Sequence, residues 1–231
     1  MRNTAREPHA MMTHPTDDRL RAVAFGDLDI TARLLVEAHL ALCSECATTV
    51  ALFGGAGDGL GEPEPIDLVV RPPEFDRIWA RVEELAATAV LPQAAVLPAS
   101  VLSVLPDPAG WRWIRAWPEK PRTALLMRDA ETGSRLYLRY YPPGSRYPRH
   151  RHLGVEESVI LAGGFQNGDV HVEAGDWVTG APGTEHSPAT GRDEECWCLS
   201  RVTPPGVSFA GLRGWLQLLR GLIRWRPEEL A

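Results

Sequence analysis

The sequence predicts an α+β chain: a small N-terminal helical bundle, then a β-barrel of the jelly-roll kind, then a terminal amphipathic helix. Three observations predict it. Residues 14–53 combine helix caps and helical apolar spacing around His39-x3-Cys43-x2-Cys46. From Trp111 the texture changes to short runs of β-formers separated by Pro, Gly and Asp turns, with no helical pattern between them. That second half also holds His150, His152, Glu156 and His186, spaced for strands and turns rather than for a helix.

Thr16 is placed to cap a first helix, with Asp17 and Asp18 suited to the positive end of its dipole; Leu20, Val23 and Ala24 follow at helical spacing and Gly26 ends the run. Asp29 caps a second helix with Ile30, Leu34, Leu35, Ala38 and Leu42 as its apolar positions. A short third helix is expected over residues 46–53, closed by Gly54-Gly55. A connector rich in Gly, Pro and acids follows, then a fourth helix over 74–87. Its Phe75, Ile78, Trp79 and Val82 recur at i, i+3, i+4 and i+7. Residues 1–90 form the helical domain, the Pro-rich stretch 91–108 a linker whose Val and Leu lie against something, and 109–204 the β domain. Strands are expected at 112–117, 123–128, 135–141, 156–161, 169–172, 177–179 and 195–202, with His150 and His152 alternating on a further one. The last residues, 205–231, return to helix with Phe209, Leu212, Trp215, Leu216, Leu219, Leu222 and Ile223 on one face.

Bulk properties narrow the function classes. The chain has 231 residues and a net charge of −6. Residues 1–90 hold 15 acidic side chains against 8 arginines. A phosphate backbone repels such a surface, so direct nucleic-acid binding is not expected; a basic protein surface suits it. No apolar run is long enough to span a bilayer and residues 1–18 lack the apolar core of a secretory signal, so the expected location is the cytoplasm. The terminal helix is expected to pack on its own domain or on a second copy, as in a homodimer, rather than on a membrane.

In a reducing compartment Cys43 and Cys46 read as metal ligands before they read as a disulfide. With His39 they lie four and three residues apart, which brings the side chains to one spot on a helix or across a tight turn. Tetrahedral zinc wants a fourth ligand. The turn at Gly26-Asp27 lies midway between His14 and His39, so two antiparallel helical arms return both to the same end; His9 would overshoot. This set, His14, His39, Cys43 and Cys46, followed by an amphipathic helix, resembles the zinc-binding anti-sigma domain. The resemblance implies that the domain clamps an extracytoplasmic-function sigma factor, with the stripe Phe75, Ile78, Trp79 and Val82 as part of the interface.

In the β half, Gly144-x5-His150-x-His152-x3-Glu156-x6-Gly163 and Pro182-Gly183-x2-His186 resemble the two cupin motifs, the second with Pro and Gly adjacent instead of separated. The resemblance implies a metal held by His150, His152, Glu156 and His186. Three imidazoles and one carboxylate suit zinc, manganese, iron or nickel. Glu157 faces away from Glu156 on a strand, and Arg139, Tyr147 and Arg149 are candidates for binding an organic acid. Cys196 and Cys198 share a strand face, as core packing or as a redox pair near the metal; a disulfide at that spacing is strained. The combination resembles the ChrR-type cupin anti-sigma factors over about residues 14–203. It implies a regulator that holds its sigma factor until an oxidative signal arrives, with no catalytic residues. The rival reading is a metal-dependent cupin oxygenase carrying a helical zinc module.

Overall fold

A computed structural model describes residues 14–55, 96–115 and 121–209. The expected helix at 74–87 and the helix after residue 210 lie outside the described residues. Among the described residues no helix is long and apolar enough to cross a membrane.

Helix α1, Asp17–Phe25, is capped by the Thr16 hydroxyl, which accepts from the Arg19 amide, and ends at Gly26 in the left-handed region at φ 76°. Helix α2, Ile30–Leu40, is capped by Asp29, whose carboxylate accepts from the Thr31 and Ala32 amides. Helix α3, Ser44–Gly55, begins two residues before the expected start and runs through both glycines. Leu42 falls past the end of α2 and is exposed, not part of its apolar stripe. The stretch expected to be a linker contains a short helix, α4, Ala99–Leu102, and buries Leu97, Val101 and Leu105. It is built into the body of the protein.

Among the described residues ten strands follow: β1 Trp113–Arg115, β2 Arg122–Arg128, β3 Arg135–Tyr141, β4 His150–His152, β5 Glu156–Asn167, β6 Val170–Glu173, β7 Trp177–Gly180, β8 Glu185–His186, β9 Cys196–Val202 and β10 Val207–Phe209. They form a seven-stranded sheet in the order β1-β2-β3-β9-β5-β6, with β7 also pairing β5, and a three-stranded sheet β10-β4-β8. The expected jelly roll is present as two sheets that do not close into one ring. Strand β5 runs past the expected end because Gly163, at φ 65°, lets its backbone meet β9; a Cβ there would sit 1.8 Å from the Glu195 carbonyl. Residues 207–209, expected as helix, instead pair with β4, because β4 offers an open edge opposite β8.

The large sheet separates two cores. On one face Leu136, Leu138, Val159, Trp177 and Leu199 pack with Leu20, Leu34, Leu35, Val36 and Ala38 of the helices and with Leu97 and Val101. On the other face Tyr141, Tyr147, Ile160, Phe165, Val178, Cys196 and Cys198 form a second cluster. The helices and the β region therefore share one hydrophobic core. Residues Leu34, Leu35, Val36 and Ala38 are completely buried, which a free-standing bundle of this size could not achieve alone.

Candidate metal centres

The first centre lies where α1 begins and α2 gives way to α3. His14, His39, Cys43 and Cys46 each offer one ligand atom, and these lie within 4.8 Å of one another. The His14 Nδ1 is 3.5 Å from the Cys43 sulfur and 3.4 Å from the Cys46 sulfur. The His14 and His39 rings meet edge to face at 5.7 Å. His39 is fully buried; the Gly175 backbone acts on its ring, and no side chain hydrogen-bonds either nitrogen among the described residues. A buried imidazole with so few partners is costly unless something binds it. Burial, with the charge of His14, pushes the His39 pKa down, which keeps the ring neutral and able to ligate. Burial and the neighbouring Cys43 push the Cys46 thiol up to about 12, so a metal arriving here displaces a proton. Two imidazoles and two thiolates fit tetrahedral zinc, and the four residues named are those that would hold it.

The second centre lies on the far face of the large sheet. His150 and His152 project from the same face of β4, and His186 comes from β8, whose register sets it opposite His150. The His186 Nε2 is 2.9 Å from the His150 Nε2 and 3.1 Å from the His152 Nε2. The His150 Nδ1 donates to the Pro148 carbonyl at 3.0 Å, and the His186 Nδ1 to the Asn167 amide oxygen at 2.9 Å. With Nδ1 protonated, those Nε2 atoms present lone pairs to one point, an arrangement that favours a cation between them. Burial also lowers the His150 pKa to about 4, holding it neutral.

Glu156 stands beside this trio rather than within the tight cluster. One oxygen accepts from the buried Arg139. The other, Oε2, is 3.5 Å from the His152 Nδ1 and 4.0 Å from the His150 Nε2, and is buried without a hydrogen-bond partner among the described residues. An orphaned carboxylate oxygen at the edge of three imidazoles fits a fourth ligand. Bound there, a divalent cation would act as a Lewis acid. Burial works against its charge, but Arg139 and the histidines keep the Glu156 pKa below the ordinary carboxylate value.

Other candidates fall differently. Arg139 lines the cavity and donates to Glu156; Arg149 pairs with Glu185 on the surface at 2.9 Å; Tyr147 is buried against His150, ring centroids 5.2 Å apart. Cys196 and Cys198 are both buried, and Cys198 lines the cavity beside His152, His186 and Glu156. A hydrogen bond with Cys196 and the charge of Arg139 lower the Cys198 pKa, whereas the same hydrogen bond and burial raise that of Cys196. Sequence spacing gave no sign of Asn167 or of the Pro148 carbonyl, because tertiary placement alone gives them their orienting role. Gly180 was equally hidden. It passes beneath His152 so closely that a Cβ would sit 2.5 Å from the ring.

Residues 103–204 match the family model described as ChrR Cupin-like domain. The chain is 27% identical over 197 residues to the anti-sigma-E factor ChrR of Cereibacter sphaeroides, covering 83% of this chain and 90% of that protein. Its fold is similar to the crystal structure of Rhodobacter sphaeroides SigE in complex with the anti-sigma ChrR, with a TM-score of 0.59, 25% identity, and coverage of 83% of this chain and 99% of that one. The match to the ChrR cupin-like model thus falls on the β region, and the likeness to ChrR extends over the helical module with its His/Cys ligand set.

Proposed function

We propose that this chain is an anti-sigma factor: its helical module sequesters an extracytoplasmic-function sigma factor, and the cupin-like domain lets the partner go under oxidative stress. The observation that carries this is the likeness to ChrR across both the helical module and the cupin-like domain, a likeness shared with the structure of ChrR bound to SigE. The ligand set His14, His39, Cys43 and Cys46 supports a structural zinc, because thiolate–imidazole sites couple metal binding to folding of small helical units. His150, His152, Glu156 and His186 are the proposed ligands of a second divalent metal, zinc, manganese, iron or nickel. Cys198, at the wall of that cavity, and Cys196 are the proposed thiols for oxidation. The chain works in the cytoplasm, where its partner meets RNA polymerase. The stripe Phe75, Ile78, Trp79 and Val82, outside the described residues, is proposed to join the interface; Trp79→Ala then weakens binding by about 2 kcal/mol without changing zinc content.

The deciding experiment is co-expression with candidate sigma factors followed by co-purification and a transcription reporter. A stoichiometric complex that represses the reporter is expected. His150→Ala combined with His152→Ala should still repress but no longer release under singlet oxygen or organic peroxide. Failure of every candidate sigma factor to co-purify overturns the anti-sigma reading. Normal release by the double variant removes the cupin-like domain as sensor.

A further inference from the structure

The large sheet is a single wall with a ligand set on each side, and its register shows how closely they approach. Residues paired across an antiparallel ladder lie on the same face, and neighbours along a strand lie on opposite faces. Leu138, Leu199, Val159 and Trp177 are paired in sequence across β3, β9, β5 and β7 and face the helices. The next row on that face is Leu136, Arg201, Glu157 and Thr179. The rows between and beside them, Ser200–Ser158–Val178 and Val202–Glu156–Gly180, face the cupin cavity. Each step along a strand therefore crosses from one centre to the other. Glu156 adjoins the histidine trio while Glu157 points at the helices. Val178 lines the cavity while the ring of Trp177 meets His39, edge to face, at 5.9 Å.

On the helix side the row carries a linked set of charges, with Arg201 and Glu157 buried and Arg19 and Asp29 partly exposed. Arg201 donates to Glu157 at 3.1 Å, to Asp29 at 2.5 Å, to the Thr31 hydroxyl at 3.1 Å and to the Ser134 hydroxyl at 3.2 Å. Glu157 also takes both bonds of the Arg19 guanidinium, at 3.0 and 2.6 Å. Two arginines and two carboxylates thus join the N-cap of α2 and the first turn of α1 to β5 and β9, the strands that carry Glu156 and Cys198. Such a set resists partial opening, since removing one member strands a buried charge.

We infer that Arg201, Glu157, Asp29 and Arg19 form a latch that, with Trp177, couples the state of the His150/His152/Glu156/His186 centre to the seating of α2 and its ligand His39. A shift of Glu156 or His152 moves the backbone of β5 or β7. The residues on the opposite face of the same strands move with it, because adjacent side chains share a backbone and the interior is close-packed. The latch supplies the two-state element that a transmitted signal requires. This rests on the proposed regulatory reading for its purpose, but its test needs no partner.

Hydrogen exchange of the purified full chain, followed by mass spectrometry over peptides spanning residues 29–42, reads the seating of α2. The ligand variant His150→Ala/His152→Ala should exchange there about tenfold faster than the wild type, within the usual range of coupling between sites. In the Glu157→Gln/Arg201→Met background the same ligand change should alter exchange less than about twofold. Should that background not fold, Trp177→Phe replaces it and should likewise reduce the difference. Equal exchange over 29–42 with and without the ligand histidines overturns the latch, as does a full difference that survives its removal. Either result, alongside an intact repressing complex, condemns the latch and leaves the anti-sigma reading standing.

Discussion

The two ligand sets differ in what holds them before any metal arrives. His14 precedes α1, His39 sits on α2, Cys43 lies just before α3 and Cys46 in its first turn, so three separate helices must converge. No backbone ladder ties them. In the other set, β4 is hydrogen-bonded to β10 on one side and β8 on the other, and β5 pairs with β9, β6 and β7. Its ligands ride on strands held to their neighbours by backbone hydrogen bonds. The difference fits the proposed division of labour: a set that only folded helices bring together suits a structural site, and a set carried on laddered strands suits a site that changes state without unfolding.

The largest way to break this contrast is at the cysteines. Cys46→Ser should abolish binding of the proposed zinc and melt α1–α3, because the thiolate would contribute a metal bond and the side chain has a place in the shared core. Circular dichroism with metal analysis checks it; full helicity with no zinc would show that the shared core alone suffices. By contrast His150→Ala/His152→Ala should leave the sheet signals intact while lowering metal content to that of the helical site.

The second test asks whether the two regions melt as one. Leu199 is fully buried in the row that faces α2. Leu199→Ala should lower stability by about 3 kcal/mol through the cavity it leaves. Because the core is shared, helical and sheet probes should shift together. A helical transition left in place while the sheet melts earlier would mean two independent folding units, as the sequence implied when residues 91–108 read as a linker.

That linker shows where sequence stops being legible. The caps at Thr16 and Asp29, the stop at Gly26 and strand β3 were readable because their causes are local: a side chain satisfying nearby amides, a left-handed turn, an alternating apolar pattern. The spacing of His39, Cys43 and Cys46 was readable for the same reason. The placement of α4 was not, since Leu97 and Val101 find their partners on α2 and the sheet, far away in the chain. Strands β8 and β10 are two and three residues long and carry no pattern of their own; pairing with β4 creates them. The pairing of Arg201 with Asp29 spans 172 positions and leaves no trace in either neighbourhood.

A smaller effect is expected at Gly180, which sharpens the contrast from the sheet side. A methyl there would sit 2.5 Å from the His152 ring, so either β7 or the imidazole must move. Gly180→Ala should weaken metal binding at the cupin centre by roughly 10–100-fold, the usual penalty for disturbing what orients a ligand. Zinc at His14, His39, Cys43 and Cys46 should be unaffected. Calorimetric titration of the full chain measures both sites, and an unchanged cupin affinity would show that β7 yields without disturbing His152.

The smallest effect concerns acid. Burial opposes ionisation of Asp29, but hydrogen bonds from Thr31, the Ala32 amide and Arg201 hold its carboxyl below the ordinary value of 3.8. A group whose folded pKa is depressed contributes stability that is complete above its unfolded value and fades as pH falls through the folded one. The Asp29 contribution is therefore full at neutral pH and is lost only below about pH 4. Asp29→Asn keeps a good N-cap while removing the charge that meets Arg201. The variant should be less stable than wild type by about 1 kcal/mol at pH 7, a figure kept small because the pair is partly open to solvent. The gap should close as the pH falls from about 4 down through the lowered folded pKa. Urea midpoints for the two proteins across that range decide it: a gap that stays constant with pH would assign the difference to the cap and not to the ion pair that seats α2 on the sheet.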